Sequence, residues 1–264
     1  MGHYLNKVIL KGRTIIVTGA CGLIGKEISR CIVELGGNLV IADIDLNAGK
    51  AFEKVLTAEY PVNILTYPVD ITSEKSVEVM IANVKEKFGS IDGLVNNAYP
   101  RNKEYGTLFE NIRFDSWREN VDMHLNGYFN VSQKVSKVMM EQKKGNIINM
   151  ASIYGIVGPD FSIYEGTKMT MPAEYSAIKG AIINFTRYLS TYLAKYNIRV
   201  NSISPGGVFD NQAIQFVERY CAKTPMERMA SPDEIASGVA FLLSDLSSFV
   251  TGHSLVIDGG WSIW

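Results

Sequence analysis

The sequence contains few cysteines and none in a metal-binding arrangement. Three cysteines, Cys21, Cys31 and Cys221, occur in 264 residues, and no two of them have C-x-x-C spacing. Such an odd, scattered set predicts neither a disulfide framework nor a zinc site. We therefore expect no metal, a reducing cytoplasmic compartment, and cysteines that act as small buried hydrophobic residues.

Long apolar runs and an excess of one charge are also missing. No run reaches the roughly 18 apolar residues of a membrane span, and residues 1–10 do not have the pattern of a signal peptide. The 26 Lys and Arg residues nearly balance the 27 Asp and Glu residues, leaving a net charge of -1. This balance gives no reason to expect nucleic acid or a membrane as a partner. Without a linker, repeat or low-complexity stretch, we predict a single domain over residues 1–264.

Short β-branched runs alternate with helical patterns along the chain. Helices are predicted at Ser73–Phe88, Trp117–Glu141, Met171–Lys195 and Pro232–Leu243, among others. Seven strands are predicted: Thr14–Thr18, Asn38–Asp43, Val62–Tyr67, Ile91–Val95, Asn146–Ala151, Ile198–Ile203 and Ser254–Ile257. This alternation predicts an α/β protein of the Rossmann type, with a doubly wound parallel sheet and helices on both faces. Ligands of such sheets bind beyond the carboxyl ends of the strands.

A glycine-rich turn follows the first predicted strand. Gly19, Gly22 and Gly25 have the spacing G-x-x-G-x-x-G, and a helical pattern follows them. Strand, glycine turn and helix together favour a site for a dinucleotide pyrophosphate, although a merely tight turn is the alternative.

Asp43 ends the second predicted strand and indicates which dinucleotide is preferred. A carboxylate at this position accepts hydrogen bonds from the adenosine ribose, and a 2′-phosphate would meet it without an arginine in residues 44–51. We therefore expect NAD rather than NADP. The alternative interpretation of Asp43 is a helix N-cap, but Asp45 or Asn47 could fill that role.

The predicted helix Met171–Lys195 carries a candidate acid/base. Tyr175 and Lys179 are four residues apart, so they share one face about 6 Å from each other. We expect the lysine ammonium to lower the pKa of the phenol towards neutrality. A second Y-x-x-x-K, Tyr164 to Lys168, contains Gly166 and lies before Pro172, so we interpret it as loop and prefer Tyr175.

With these residues assembled, the chain from about Lys11 to Gly260 resembles the short-chain dehydrogenase/reductase family. The matching segments are TGACGLIG, VDIT, NNA, the strand before Ser152, YSAIK, IRVNSISPGGV and TGHSLVIDGG. The segments NNAYPRNKEYG and YEGTKMTMPAEYSAIK resemble a narrower branch, the flagellin-modification oxidoreductases of bacterial nonulosonate sugar pathways.

The resemblance implies a nicotinamide cofactor, a homotetramer or homodimer, and specific roles for residues. Tyr175 resembles the catalytic acid/base, Lys179 the residue that binds the nicotinamide ribose, and Ser152 the hydroxyl that orients the substrate oxygen. Asn97 and the pair Asp70–Ile71 resemble adenosine contacts, and Val208 resembles the residue that meets the carboxamide. The expected cofactor site comprises Gly19, Cys21, Gly22, Leu23, Ile24, Gly25, Asp43, Asp70, Ile71, Asn97, Tyr175, Lys179, Pro205, Gly206 and Val208.

Two departures from the family pattern stand out. The gap from Ser152 to Tyr175 is 23 residues, about ten more than the family has, which indicates an inserted substrate loop near residues 155–174. The asparagine that the family uses in the long helix aligns with His124. We expect His124 either to hold a water of a proton relay from Lys179 or to be a satisfied core histidine.

The combined pattern predicts an NAD-dependent oxidoreductase acting on a hydroxyl or carbonyl of a polar small molecule, a sugar or sugar phosphate of flagellin-glycan biosynthesis. The alternatives are a non-redox epimerase or dehydratase of a sugar nucleotide, and a catalytically silent NAD-binding protein. Two segments, Tyr99–Tyr105 and Gly155–Thr170, follow predicted strand ends and should overhang the substrate. The candidate substrate residues in them are Arg101, Lys103, Tyr164 and Lys168. A solvated loop face is the alternative for these side chains.

Overall fold

The chain folds around one parallel sheet of seven strands. The computed structural model describes residues 2–264. The strands are β1 (Thr14–Thr18), β2 (Asn38–Asp43), β3 (Ile64–Pro68), β4 (Gly93–Asn96), β5 (Gly145–Met150), β6 (Ile198–Pro205) and β7 (Ser254–Ile257). Their spatial order is β3-β2-β1-β4-β5-β6-β7, and every pair is parallel. The predicted doubly wound α/β fold is confirmed.

The strand order reverses between β1 and β4, and this reversal fixes where a ligand can bind. From β1 the chain winds outward to β3, then returns to place β4 on the other side of β1. The connections of the two halves leave in opposite directions, so a crevice opens at the carboxyl ends of these two strands.

Helices cover both faces of the sheet. The helices are α1 (His3–Val8), α2 (Leu23–Glu34), α3 (Leu46–Glu59), α4 (Glu74–Phe88), α5 (Phe114–Val121), α6 (Gly127–Gln142), α7 (Ala173–Leu193), α8 (Ile214–Ala222) and α9 (Pro232–Leu243). Apolar side chains of α2, α3 and α9 form one core cluster, and those of α4, α6 and α7 form another. Because helices bury both faces, the central strands are apolar on every side: all five residues of β1 are buried.

The predicted helix Trp117–Glu141 differs from the structure in a way that affects the site. The helix begins at Phe114 and ends at Gln142, and a π-helical segment, Asp122–Asn126, separates α5 from α6. Such π turns are short insertions in an α-helix and are frequent at functional sites. Here the segment contains His124.

The inserted loop, predicted near residues 155–174, ends at Pro172 in the structure, where α7 begins. It follows a 3-10 turn at Ile153–Gly155, contains a second one at Phe161–Tyr164, and is attached to two helices. At its start, a Cβ on Gly155 would lie 2.6 Å from the backbone carbonyl carbon of Lys179, so the loop packs directly on α7. Farther along, Asp160 forms an ion pair with Lys223, just after α8. The loop therefore shares a third apolar cluster with α8, in which the rings of Tyr164 and Phe216 are 5.3 Å apart.

Among residues 2–264, no helix combines the length and the apolar composition that crossing a bilayer requires.

Candidate active site

One cleft of about 920 Å³ runs along the carboxyl ends of the strands. Its volume lies within the range usual for small-molecule sites. All fifteen residues of the expected cofactor site line it: Gly19, Cys21, Gly22, Leu23, Ile24, Gly25, Asp43, Asp70, Ile71, Asn97, Tyr175, Lys179, Pro205, Gly206 and Val208. The fold therefore brings together residues that are spread over nearly 190 positions of the chain.

The glycine turn has the shape that a pyrophosphate needs. Gly19 has a φ of +62°, and a Cβ on Gly25 would lie 2.2 Å from the carbonyl oxygen of Gly19, so a side chain at Gly25 would clash with the backbone. Helix α2 begins at Leu23 after the N-cap Gly22, and no side chain caps it. Its first N–H groups and the positive end of its dipole are thus available to an anion in the cleft.

The Asp43 carboxylate is held in a fixed orientation at one end of the cleft. The backbone N–H of Cys21 donates to Oδ2 at 2.9 Å, and the backbone N–H of Asp45 donates to Oδ1 at 3.1 Å. Helix α3 is capped by Asp45, which accepts from the N–H of Ala48, so Asp43 is not its N-cap. Together with the glycine turn, this fixed carboxylate fits the adenosine and pyrophosphate parts of a dinucleotide.

Asn97 supports the glycine turn. Its side-chain nitrogen donates to the carbonyl oxygens of Gly19, at 3.0 Å, and Thr18, at 3.2 Å. Its amide nitrogen is thus used to fix the loop between β1 and α2, whereas the family resemblance implied an adenosine contact.

Tyr175, Lys179 and Ser152 meet at the middle of the cleft. Lys179 is buried, and its Nζ donates to the carbonyl oxygen of Met150 at 2.6 Å. The same Nζ lies 5.4 Å from the ring centroid of Tyr175, one turn earlier on α7. Ser152 lies two residues after the end of β5, and its hydroxyl is close enough to the Tyr175 side chain to affect its pKa.

The surrounding protein shifts the pKa values of this pair away from those expected from the sequence. Desolvation raises the pKa of Tyr175, and the Ser152 hydroxyl opposes this effect. Desolvation also lowers the pKa of Lys179, to about 7. In the protein alone the pKa of Tyr175 therefore shifts in the direction opposite to the one expected from its spacing to Lys179, because loss of water is the largest influence on the phenol.

His124 is buried next to Lys179. Its Nε2 lies 3.4 Å from the lysine Nζ, and its Nδ1 has no hydrogen-bond partner. Burial and the lysine charge together lower its pKa well below the usual value, so the imidazole is neutral at pH 7. The histidine does not line the cleft but lies directly behind it.

Comparison with known proteins agrees with this arrangement. A family sequence model described as enoyl-(acyl carrier protein) reductase matches residues 19–262. The chain is 38% identical to the post-translational flagellin modification protein A of Campylobacter coli, over 97% of this chain and 100% of that protein. The chain belongs to the short-chain dehydrogenase/reductase family.

Solved structures of this family superpose closely on the chain. A short-chain dehydrogenase from Leptospira borgpetersenii with bound NAD+ has a TM-score of 0.84 and 32% identity, covering 99% of this chain and 96% of its own. A gluconate 5-dehydrogenase from Burkholderia cenocepacia, in complex with NADP and tartrate, has a TM-score of 0.87 and 27% identity, covering 99% and 100%. The chain is accordingly an oxidoreductase of the short-chain dehydrogenase/reductase family, whose members bind NAD or NADP.

Of the four candidate substrate residues in this short-chain dehydrogenase/reductase, two line the cleft. Arg101 and Tyr164 do so. Lys103 lines a neighbouring cavity of about 770 Å³, which Arg101 also borders, and Lys168 lines neither. Lys103 is displaced because Asn102 turns the chain away, its backbone N–H donating to Asn120 Oδ1 at 3.0 Å. The predicted basic cluster over the nicotinamide is therefore reduced to Arg101.

The sequence pattern did not indicate three further side chains that complete the far end of the cleft, beyond Tyr175. These are the rings of Phe216 and Tyr220 and the thioether of Met229. Helix α8, which supplies Phe216 and Tyr220, was not among the predicted helices. A signal was present in the sequence, because these two rings are four residues apart and so share one helix face.

Proposed function

We propose that the chain is an NAD-dependent dehydrogenase or reductase of a polar small molecule, a sugar or sugar phosphate used in flagellin-glycan biosynthesis. The observation that carries this proposal is the placement of Tyr175, Lys179 and Ser152 in the same cleft as the glycine turn and Asp43. A dinucleotide held by the turn would extend along this cleft towards the tyrosine.

The residues of the cleft have separate roles in the proposed reaction. Bound NAD(H) supplies the chemistry of hydride exchange. Tyr175 gives a proton to the substrate carbonyl oxygen in reduction, or takes one from the hydroxyl in oxidation. Its raised pKa keeps the phenol protonated at neutral pH, which suits the reductive direction. Ser152 orients the substrate oxygen. Lys179 binds the nicotinamide ribose and exchanges a proton with Tyr175, and His124 contacts the lysine from behind the cleft.

Asp43 supports NAD as the cofactor. Both of its oxygens accept backbone N–H groups, so the carboxylate cannot easily turn away from a ribose that lies beside it. A 2′-phosphate at this place would bring its negative charge next to a fixed carboxylate. Solved relatives hold NAD+ in one structure and NADP in another, so this side chain, and not the fold, carries the preference.

Two observations support a polar, anionic substrate. The Campylobacter coli relative is named for flagellin modification, and the Burkholderia cenocepacia relative is a gluconate 5-dehydrogenase that holds tartrate. In this chain Arg101 lines the cleft, with its guanidinium carbon 5.1 Å from the ring centroid of Tyr99. A guanidinium on an aromatic ring keeps its planar set of donors free for a carboxylate or phosphate.

Exposed aromatic side chains support a homodimer or homotetramer. Phe129 on α6 is 48% exposed, and Tyr188 and Tyr192 on α7 are 61% and 52% exposed. Phe185 lies beside Phe129, with ring centroids 6.2 Å apart. Exposed aromatic side chains on two helices, one pair of which is in contact between them, suit a second copy of the chain as partner.

The proposal is tested by screening sugars and their phosphates for NADH oxidation, followed by the absorbance of NADH. We expect Arg101→Ala to raise KM at least tenfold for a phosphorylated or carboxylated substrate and to leave its neutral counterpart unchanged. Lys168→Ala is the matched control, because that side chain lies outside the cleft, and its KM should equal that of the unaltered protein.

Three outcomes would contradict the proposal. Turnover of a sugar nucleotide without net change in NADH would indicate an epimerase or dehydratase. A clear preference for apolar alcohols would exclude an anionic sugar. NADH binding with no turnover across the whole panel would favour a catalytically silent protein.

A further inference from the structure

The ammonium group of Lys179 is buried without a carboxylate partner. The side chain is 4% exposed, and no ion pair in residues 2–264 includes it. One hydrogen bond to the Met150 carbonyl and the contact with His124 are its polar interactions in the structure. A buried cation without a counter-ion is costly, so some other feature of the site must offset the loss of water.

Three tyrosine rings surround this ammonium group. The Nζ of Lys179 lies 5.4 Å from the ring centroid of Tyr175, 5.7 Å from that of Tyr128 and 5.8 Å from that of Tyr99. Each distance is within the roughly 6 Å at which the negative face of an aromatic ring attracts a cation. The attraction is strongest where water is excluded, as it is around Tyr128, which is fully buried.

Tyr99 is the member of this set that comes from outside the helices, and it is held firmly. It follows β4 in the loop before α5, and its hydroxyl pairs with that of Tyr105 at 2.7 Å. Its ring meets the rings of Tyr175 and His124 edge to face, with centroids 5.6 and 5.3 Å apart. Tyr99 thus contacts both Tyr175 and His124 while its ring lies beside the Lys179 ammonium.

The other ionisable groups near Lys179 supply no negative charge to it. His124 is neutral, and burial raises the pKa of each of the three tyrosines above the ordinary value. Glu174, on α7, accepts from the side chain of Asn120 at 3.3 Å and forms no ion pair with the lysine. The remaining charge nearby, Arg101, is itself a cation on the Tyr99 ring.

We propose that Tyr99, Tyr128 and Tyr175 form an aromatic cage that stabilises the ammonium form of Lys179 against the effect of burial, and that Tyr99 is a positioning residue for the reaction. The cage takes the place of a counter-ion: the ring faces stabilise the cation but cannot accept its proton. In its functional part the inference rests on the proposed role of Lys179 in binding the nicotinamide ribose and supporting Tyr175.

The cage is tested by measuring the protonation of Lys179 directly in the full-length protein. Lysine labelled with carbon-13 at Cε reports its own charge by NMR, and the resonance missing from Lys179→Met identifies the residue. We expect Tyr99→Leu to lower the titration midpoint of Lys179 by about one pH unit, a tenfold loss of proton affinity, because one of three ring faces is removed. Tyr99→Phe should keep the midpoint, because it keeps the ring.

Two controls separate the cage from general disruption. Tyr105→Phe removes only the hydrogen-bond partner of Tyr99, and its midpoint should stay within 0.3 pH units of that of the unaltered protein. Because Tyr99 is 40% exposed, Tyr99→Leu should unfold at nearly the same temperature as Tyr99→Phe. A Tyr99→Leu midpoint equal to that of the unaltered protein, or an equal shift in Tyr99→Phe, would overturn the cage.

Activity measurements on the same variants distinguish refutation of the aromatic cage from refutation of the proposed catalytic role of Lys179. If the cage positions the catalytic group, the alkaline limb of the pH profile of kcat/KM, where Lys179 loses its proton, should move with the NMR midpoint in Tyr99→Leu and not in Tyr99→Phe. Full turnover by Lys179→Met would refute the proposed role of the lysine and leave the NMR result standing. An unmoved profile beside a moved midpoint would refute the positioning role of Tyr99.

Discussion

At the scale of single residues, the two Y-x-x-x-K motifs show how similar sequence patterns differ in the folded protein. Both Tyr164 and Tyr175 line the cleft, so proximity does not separate them. Their lysines do: Lys179 is buried one helical turn from Tyr175, whereas Lys168 stands outside the cleft. Desolvation raises the pKa of both phenols, that of Tyr164 to about 12. A buried ammonium thus accompanies only Tyr175.

The first residue-scale prediction concerns these tyrosines. Tyr175→Phe should lower kcat by about 100-fold or more, the usual effect of losing a general acid or base, and leave the Kd for NADH nearly unchanged. Tyr164→Phe, the matched control, should change kcat by less than about fivefold. Steady-state kinetics and NADH fluorescence titration measure the two quantities. If Tyr164→Phe were the inactive variant, the inserted loop and not α7 would supply the acid/base.

The second residue-scale prediction concerns Asp43. Replacing it with serine removes the charge next to the ribose, so the ratio of NADPH to NADH affinity should rise by at least tenfold. The neighbouring Asp45→Ser is the control, because Asp45 caps α3 and points its carboxylate to the N–H of Ala48. Fluorescence titration with each cofactor gives the ratio. Tighter binding of NADPH than NADH by the unaltered protein would contradict the assignment.

At the scale of elements, the inserted loop and α8 behave as one unit over the substrate end of the cleft. Asp160 forms an ion pair with Lys223, and Arg219 on α8 donates to the Glu165 carbonyl. The Lys223 and Ser162 contacts lower the pKa of Asp160 to about 2, so the carboxylate stays charged throughout the neutral range. These contacts join residues that are 54 and 63 positions apart in sequence.

The element-scale prediction tests this attachment. Asp160→Asn removes the ion pair at a partly exposed site, so the unfolding temperature should change little, while KM for the substrate should rise several-fold. The Kd for NADH should stay the same, because Asp160 itself does not line the cleft. Glu59→Gln, which breaks the equally exposed pair with Arg30, is the control. An unchanged KM in Asp160→Asn would show that the ion pair does not hold the loop over the substrate.

The π-helical segment is the second element that matters for the site. It interrupts the helix at Asp122–Asn126 and turns His124 towards Lys179, with 3.4 Å between Nε2 and Nζ. A regular helix through these residues would shift every following side chain round the axis. Hydrophobic periodicity predicts the helix on both sides of this segment but not the segment itself.

At the scale of the whole molecule, the sheet and the cofactor end of the cleft could be predicted from local pattern. Strands alternating with helices fix a parallel sheet, and its strand ends bring Asp43 and the glycine turn to one edge. The substrate end could not be predicted in the same way. The position of Lys103 depends on an Asn102 contact with α5, and the three rings around Lys179 come from three separate segments. Such contacts between distant residues have no local signature.

The pKa values of Tyr175 and Lys179 are likewise properties that local sequence does not predict. From spacing alone Lys179 should make Tyr175 more acidic, but the degree of burial, which spacing does not give, reverses the sign. Charge and distance can be judged along one helix, whereas water access is set by everything packed around it.

The way in which the inserted loop is joined to the rest of the protein has a consequence for how the enzyme could diversify. The loop leaves the framework just after Ser152 and rejoins it at Pro172, the N-cap of α7, so the sheet and α7 define its two junctions. Loop-closure entropy rises only slowly with length, and extra residues between such fixed ends cost little stability. The loop can therefore evolve independently of the rest of the cleft. Substitutions and insertions in these roughly twenty positions could give a related enzyme a new substrate while the cofactor-binding residues stay the same.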